Sequence, residues 1–272
     1  MGFSRSGGTG GERGGAAGMI TYLAVVLLGF VAVLLFQARG ILGAVLSEPK
    51  MRAGDYDGAL RRVRWATLGI PNVVALHKEG LILILAGRPA EAEPCFRKAL
   101  GMVRSDSRYP RERLHASLGS ALLDLGRFDE AEQCFHAAIE AGDITGNSQD
   151  GLAESRLARG VEAEAALGYA TQAIEHWKRR GEEPVPGDYY ANQAWALAFL
   201  DRSGEARAAL EKALRDSASL PAGIADLHWR AGMVLLAMQE TAEARQHFQI
   251  GCDADPRGKY GRRCAEQPER PA

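Results

Sequence analysis

The sequence predicts an all-α protein: a single helix of membrane length at the front, then a solenoid of antiparallel helix pairs. Three observations predict it. Aromatic residues make up only 7% of the 272 positions, while alanine and leucine abound, a bias toward helix over sheet. Residues 19–36, MITYLAVVLLGFVAVLLF, carry no charge. Residues 87–100, GRPAEAEPCFRKAL, return little changed as 126–139, GRFDEAEQCFHAAI. No alternating Val/Ile/Thr run bounded by Asn-Gly or Asp-Gly supports a strand.

The front of the chain is read first. Residues 1–18 are glycine-rich and offer almost nothing to bury, so they are expected to be a disordered tail. The uncharged run that follows spans about 27 Å as a helix, close to the hydrocarbon thickness of a bilayer. Gln37 and Ala38 extend it before Arg39, which gives an expected single-pass transmembrane helix Met19–Ala38. The residues before Arg39 read LLFQA, which offers no small-x-small cleavage site, so an uncleaved anchor is expected rather than a signal peptide. Arg5 and Arg13 stand against Glu12 on one flank; Arg39, Lys50 and Arg52 stand against Glu48 on the other. Flanking charge therefore leaves the orientation open.

Behind the anchor the repeat sets the frame. Gly80 precedes Ala92, Gly119 precedes Ala131, Ala194 precedes Ala206 and Gly232 precedes Ala244 by the same step of 12. Four positions after three of those alanines stand Phe96, Phe135 and Phe248. Weaker copies supply Ala59, Val63 and Ala66, and Ala153, Ala165 and Tyr169. The small residues let two facing helices approach closely, the phenylalanines fill the space beside the next unit, and Gly87 and Gly126 turn the chain between helices.

These residues resemble the tetratricopeptide repeat (TPR) pattern, W-x2-L-G-x2-Y…A-x3-F…P with a period of about 34 residues. The resemblance covers residues 50–258 and implies a TPR-like α-solenoid of five to six helix pairs, placed at 41–258 with Ile41–Leu46 as its cap or its continuation from the anchor. Successive alanines are spaced unevenly, with extra residues in MVRSDSRYPRE, KRRGEEPVPGD and DSASLPAGIA, so longer connections are expected there. Pro49 is expected to interrupt the first helix of the first unit. Residues 259–272 show no apolar helical period and are expected to be a flexible tail.

The functional reading is of a binding module. A formal charge of −1 and a pI near 6.6 exclude a nucleic-acid-binding body, which needs a basic surface. The four cysteines form no CxxC and no cluster with histidine; Cys95 and Cys134 read as small apolar filler, and Cys252 and Cys264 bracket a loop that oxidation would close. The six histidines form no catalytic or metal-binding grouping, and no phosphate loop, GxSxG or HExxH is present. No enzyme, cofactor or metal is expected.

The resemblance implies a concave groove that takes a protein or peptide. Its first helices turn Arg113, Asn192, Trp195, Phe199, Trp229, Arg230 and Met233 toward that groove, and Trp and Arg are frequent binding hot spots. The same analogy implies a membrane-anchored scaffold for assembly, secretion or recruitment, with the repeats exported from a bacterial inner membrane. A cytosol-facing receptor, a non-catalytic recruiting subunit of a membrane enzyme, and a self-associating structural protein are the alternatives.

Overall fold

The computed structural model describes residues 11–66, 72–104, 109–182, 184–215 and 220–267, without the side chains of 11–18, 20 and 34–41. All regular structure among them is helical. The elements are α1 (Gly11–Arg52), α2 (Tyr56–Ala66), α3 (Val73–Leu85), α4 (Pro89–Met102), α5 (Arg111–Asp124), α6 (Phe128–Glu140), α7 (Asn147–Arg159), α8 (Ala163–Arg179), α9 (Gly187–Phe199), α10 (Ser203–Arg215), α11 (Pro221–Ala237), α12 (Thr241–Ala254) and α13 (Lys259–Ala265). Helices α1 to α12 pack as six consecutive pairs, each leaning on the next. The first helices of successive pairs also touch, α3 with α5, α5 with α7, α7 with α9 and α9 with α11. A solenoid built this way has one face made of first helices alone.

The glycine–phenylalanine pairs explain the packing. A Cβ on Gly80 would lie 2.5 Å from the ring of Phe96, one on Gly119 2.7 Å from Phe135, and one on Gly232 2.3 Å from Phe248. Each glycine therefore admits the aromatic ring of its own second helix. Phe135 also fills the step to the next pair, because a Cβ on Gly151 would lie 2.4 Å from it. Ala92, Ala131, Ala206 and Ala244 are fully buried between the helices. The second helices α4 and α6 are also joined outside the core by the partly exposed pair of Glu93 with Arg127, a contact of small energetic weight.

Every turn within a pair passes through a left-handed residue. Gly54, Gly87, Gly126 and Gly160 supply it in the first four pairs, but Asp201 (φ 55°) and Gln239 (φ 64°) supply it in the last two. Side chains with a Cβ cost about 1 kcal/mol or more in that conformation. Gln239 is exposed, so Gln239→Gly is expected to raise the midpoint of thermal unfolding by several degrees. A melting curve that is unchanged or shifted downward contradicts this account of the turn.

Four expectations change. The helix α1 begins at Gly11, inside the stretch expected to be a disordered tail; residues 1–10 lie outside the described residues. Pro49 stands inside α1 rather than ending it, and the last part of α1 serves as the first helix of the first pair, with Arg62 of α2 donating to the Leu46 carbonyl at 2.8 Å. In the fourth pair the buried alanine is Ala166, not Ala165. The step from the left-handed glycine to the buried alanine is one residue longer there, Gly160 to Ala166 against Gly87 to Ala92, and both Gly160 and Glu162 adopt positive φ. Finally, residues 259–265 form α13 with Tyr260 and Cys264 buried, where a flexible tail was expected; residues 268–272 are outside the described set.

Among the described residues no helix is long and apolar enough to cross a membrane. The expected span Met19–Ala38 lies in part outside the described side chains, which omit Ile20 and residues 34–38. Within α1 the described apolar side chains of this span face outward, Tyr22 and Leu28 with 69% of their surface exposed.

Candidate partner-binding groove

The face made of first helices encloses a cavity of about 340 Å³. Leu81 and Ile84 of α3, Arg113 and Ser120 of α5, Asp150 and Glu154 of α7, Asp188 of α9, and Asp226 and Arg230 of α11 line it. Lys259 and Tyr260 of α13 close one side. The groove thus draws on five successive pairs, and its walls change along its length from aliphatic to acidic.

A buried polar ladder stiffens the acidic end. Asp143 precedes α7 and accepts from the backbone N–H groups of Thr145 (2.9 Å) and Ser148 (3.1 Å) and from both their hydroxyls. Burial works against ionisation of Asp143, but these donors prevail and hold its carboxyl below the ordinary range. The Tyr189 hydroxyl donates to Asn147 Oδ1 at 2.7 Å. One turn further along, Asn192 Nδ2 donates to Asp150 Oδ1 (2.8 Å), and Arg230 donates to Asn192 Oδ1 (2.6 Å), Glu154 Oε2 (2.9 Å) and Asp226 Oδ1 (2.7 Å). A single guanidinium therefore ties α7, α9 and α11 together.

Arg113, Arg230 and Lys259 share this wall with six carboxylates, which leaves a surplus of negative charge. Burial and the neighbouring Asp188 push the Asp150 carboxyl well above its ordinary value. Burial pushes Asp188 up to about 6; Arg230 opposes the shift, while Asp226 and Glu154 reinforce it. A carboxyl with a raised folded-state value favours the folded chain at low pH and loses that contribution as pH rises through about 6. Asp188→Asn is therefore expected to melt higher than the parent at pH 7.5, with the gap narrowing to about half by pH 5 and closing only below about pH 4. A gap that is constant or wider at pH 5 contradicts the assignment.

The residues expected in the groove separate into two groups. Arg113 is exposed and lines the cavity. Asn192 and Arg230 are buried as rungs of the ladder, 0% and 3% exposed, rather than displayed. Trp195 and Trp229 are 3% and 8% exposed and meet edge to face with ring centroids 5.8 Å apart, so the expectation that they present their rings to a partner is corrected. Trp229 is covered by Tyr260 (5.5 Å) and by the Arg263 guanidinium (5.1 Å), both from α13. Phe199 stays half exposed against Trp195, and Met233 packs partly buried beside the core. The sequence reading missed Asp188, Asp226, Lys259 and Tyr260. The signal for α13 was Tyr260 and Cys264 at helical spacing amid basic residues.

The histidines serve the packing. His77 lies between Tyr109 and Ser117, bonded to both, and burial lowers it to about 4. Among the described residues no group of three or more His, Cys, Asp or Glu is placed to hold a metal ion. All four cysteines are free thiols, Cys252 and Cys264 included.

Residues 112–141 and residues 191–259 match family models described as tetratricopeptide repeats. No curated protein matches the chain. Solved structures of similar fold include a tetratricopeptide repeat protein from Parabacteroides merdae, 19% identical, with a TM-score of 0.58 over 84% of this chain and 82% of that one. A thermophilic TPR protein from Thermus thermophilus is 19% identical, with a TM-score of 0.52 over 71% of this chain and 97% of that one. The chain carries TPR repeats in an all-α solenoid.

Proposed function

We propose that the chain is a membrane-tethered adaptor that holds a segment of a partner protein in the groove formed by α3, α5, α7, α9 and α11. The observation that carries this reading is the cavity, about 340 Å³ and built from five successive repeats. Such a concave face suits an extended peptide or a helix, and TPR proteins are in general protein-interaction scaffolds. Ser120 is exposed at the cavity wall, so Ser120→Trp fills the groove without touching the core. The parent chain is expected to retain members of a peptide array, and Ser120→Trp to release them while keeping the parental circular dichroism. Equal retention by both chains places binding elsewhere.

The tether rests on Met19–Ala38 and on the outward-facing apolar side chains of that stretch, Leu23, Leu27, Leu28 and Phe30 among them. A bilayer is the solvent that removes such a row from water. The full chain is expected to float with phosphatidylcholine vesicles on a density gradient. Leu27→Arg with Val31→Arg, which places two charges within the span, is expected to leave it at the bottom. A double variant that still floats contradicts the tether. Our first placement of the repeats is outside the cytoplasm of a bacterial inner membrane; the four free thiols favour the cytosolic side instead. An impermeant maleimide directed to a Glu266→Cys variant in intact cells separates the two.

A further inference from the structure

The helix α13 lies across the groove rather than beyond its end. It packs on α11 and α12 and reaches back to α3 at the opposite end of the array. Lys259 Nζ pairs with Asp124 of α5 at 2.6 Å, and Arg263 Nη2 pairs with the same carboxylate oxygen at 3.2 Å. Arg262 donates to the Ala86 carbonyl in the turn after α3. At its base, the Tyr56 hydroxyl of α2 donates to Asp255. A seven-residue helix from the last repeat therefore spans to the first three pairs.

The fit is chemical as well as spatial. Without α13, the cavity walls carry six carboxylates (Glu112, Asp143, Asp150, Glu154, Asp188 and Asp226) against two guanidiniums, Arg113 and Arg230. Of the α13 sequence KYGRRCA, Lys259 and Tyr260 reach that wall, while Arg262 and Arg263 face the Ala86 carbonyl and Asp124 at its rim. Tyr260 and Arg263 cover the indole of Trp229, and the Lys259 ammonium sits 4.3 Å from the Tyr260 ring centroid, an arrangement suited to cation–π attraction. The fit is nonetheless incomplete. Asp124 has a side chain only 3% exposed, and its Oδ2 has no hydrogen-bond partner among the described residues. An unpaired buried carboxylate oxygen is costly and marks where a stronger cationic ligand gains over α13.

We infer that α13 is an internal occupant of the groove, standing where a partner protein presents a cationic segment with an aromatic residue among its lysines and arginines. The inference rests on the partner-binding reading above and names the chemistry of that partner. Binding exchanges one set of charge-assisted bonds for another, so the intramolecular α13 acts as a competitor at high effective concentration. Displacement uncovers Trp229 for the incoming aromatic ring. The adaptor is thereby closed to weak cationic peptides and opened by those that satisfy Asp124 and the α7 carboxylates together.

The test uses the full chain and a fluorescein-labelled peptide of residues 257–267 with Cys264→Ser. A control peptide carries Lys259→Glu, Arg262→Glu and Arg263→Glu. Lys259→Ala with Arg263→Ala in the protein removes both bonds to Asp124. By fluorescence anisotropy this double variant is expected to bind the basic peptide at least tenfold more tightly than the parent, to lose it as salt is raised, and to ignore the acidic peptide. Arg262→Ala, which removes only the bond to the Ala86 carbonyl, is expected to give a smaller gain and keeps the test decisive if the double variant fails to fold. Equal affinity in parent and variants overturns the inference, as does binding of both peptides alike. A variant that dimerises by exchanging α13, read by light scattering, also overturns it in favour of a second copy as the occupant. A chain that retains no array peptide, in parent or variant form, removes the partner-binding reading itself.

Discussion

Arg230→Ala is expected to destabilise the chain by about 3–5 kcal/mol, the cost of breaking a buried ion pair by removing one partner. The side chain is only 4% exposed and bonds Glu154, Asn192 and Asp226. Its removal leaves Glu154 and Asp226, with Asp150, without the guanidinium that bonds them directly or through Asn192. The lost contacts also join three successive first helices, so the effect is expected to spread across repeats rather than stay within one. Urea unfolding followed by circular dichroism measures it. A loss below about 1 kcal/mol would mean that the ladder is solvated in solution, since exposed pairs contribute no more than that. Asp226→Asn keeps an acceptor for Arg230 while lowering the acidic surplus, and is expected to cost far less.

Phe135→Ala is expected to cost a similar amount, about 3–5 kcal/mol, for a different reason. The ring is 1% exposed and is flanked by Gly119 of its own pair and Gly151 of the next. Neither glycine has a side chain that can move into the space, so the cavity left behind stays open. Phe248 is 7% exposed and faces one such glycine, Gly232. Phe248→Ala is therefore expected to cost less than Phe135→Ala. The reverse order, measured by the same unfolding experiment, would show that the step between repeats does not depend on the ring.

The repeat step of 12 carried most of the fold in plain view, because close helix packing demands a small residue on each side at a fixed distance from a short turn. That rule locates the Gly–Phe pairs at 80/96, 119/135 and 232/248 from the sequence alone. It missed by one residue in the fourth pair, where alanine at both 165 and 166 hides the longer step from Gly160 to the buried alanine. Pro49 misled the reading of α1, because a proline in the last turn of a helix removes one hydrogen bond without ending the helix.

The groove was legible in position but not in content. Spacing places Arg113, Asn192 and Arg230 on first helices, yet it does not say that Asn192 and Arg230 bond each other between α9 and α11. The two tryptophans looked like display residues because Trp229 is covered by α13 and Trp195 packs against Trp229 from the neighbouring first helix. Seven residues with one tyrosine and one cysteine on their apolar side are too short for a hydrophobic period. Asp188 sits in the first turn of α9, where an acidic residue is ordinary, and Asp226 lies inside α11 at an exposed-looking polar position, so nothing in the sequence set them apart.

Hydrogen exchange of the full chain, with and without an excess of the basic peptide of residues 257–267, tests the account most directly. Amides of residues 259–265 are expected to exchange faster when the peptide binds, while those of α7 around Asp150 and Glu154 exchange more slowly. Peptide binding that leaves residues 259–265 as protected as before would contradict it, because the groove would then not be the place where α13 and the partner compete.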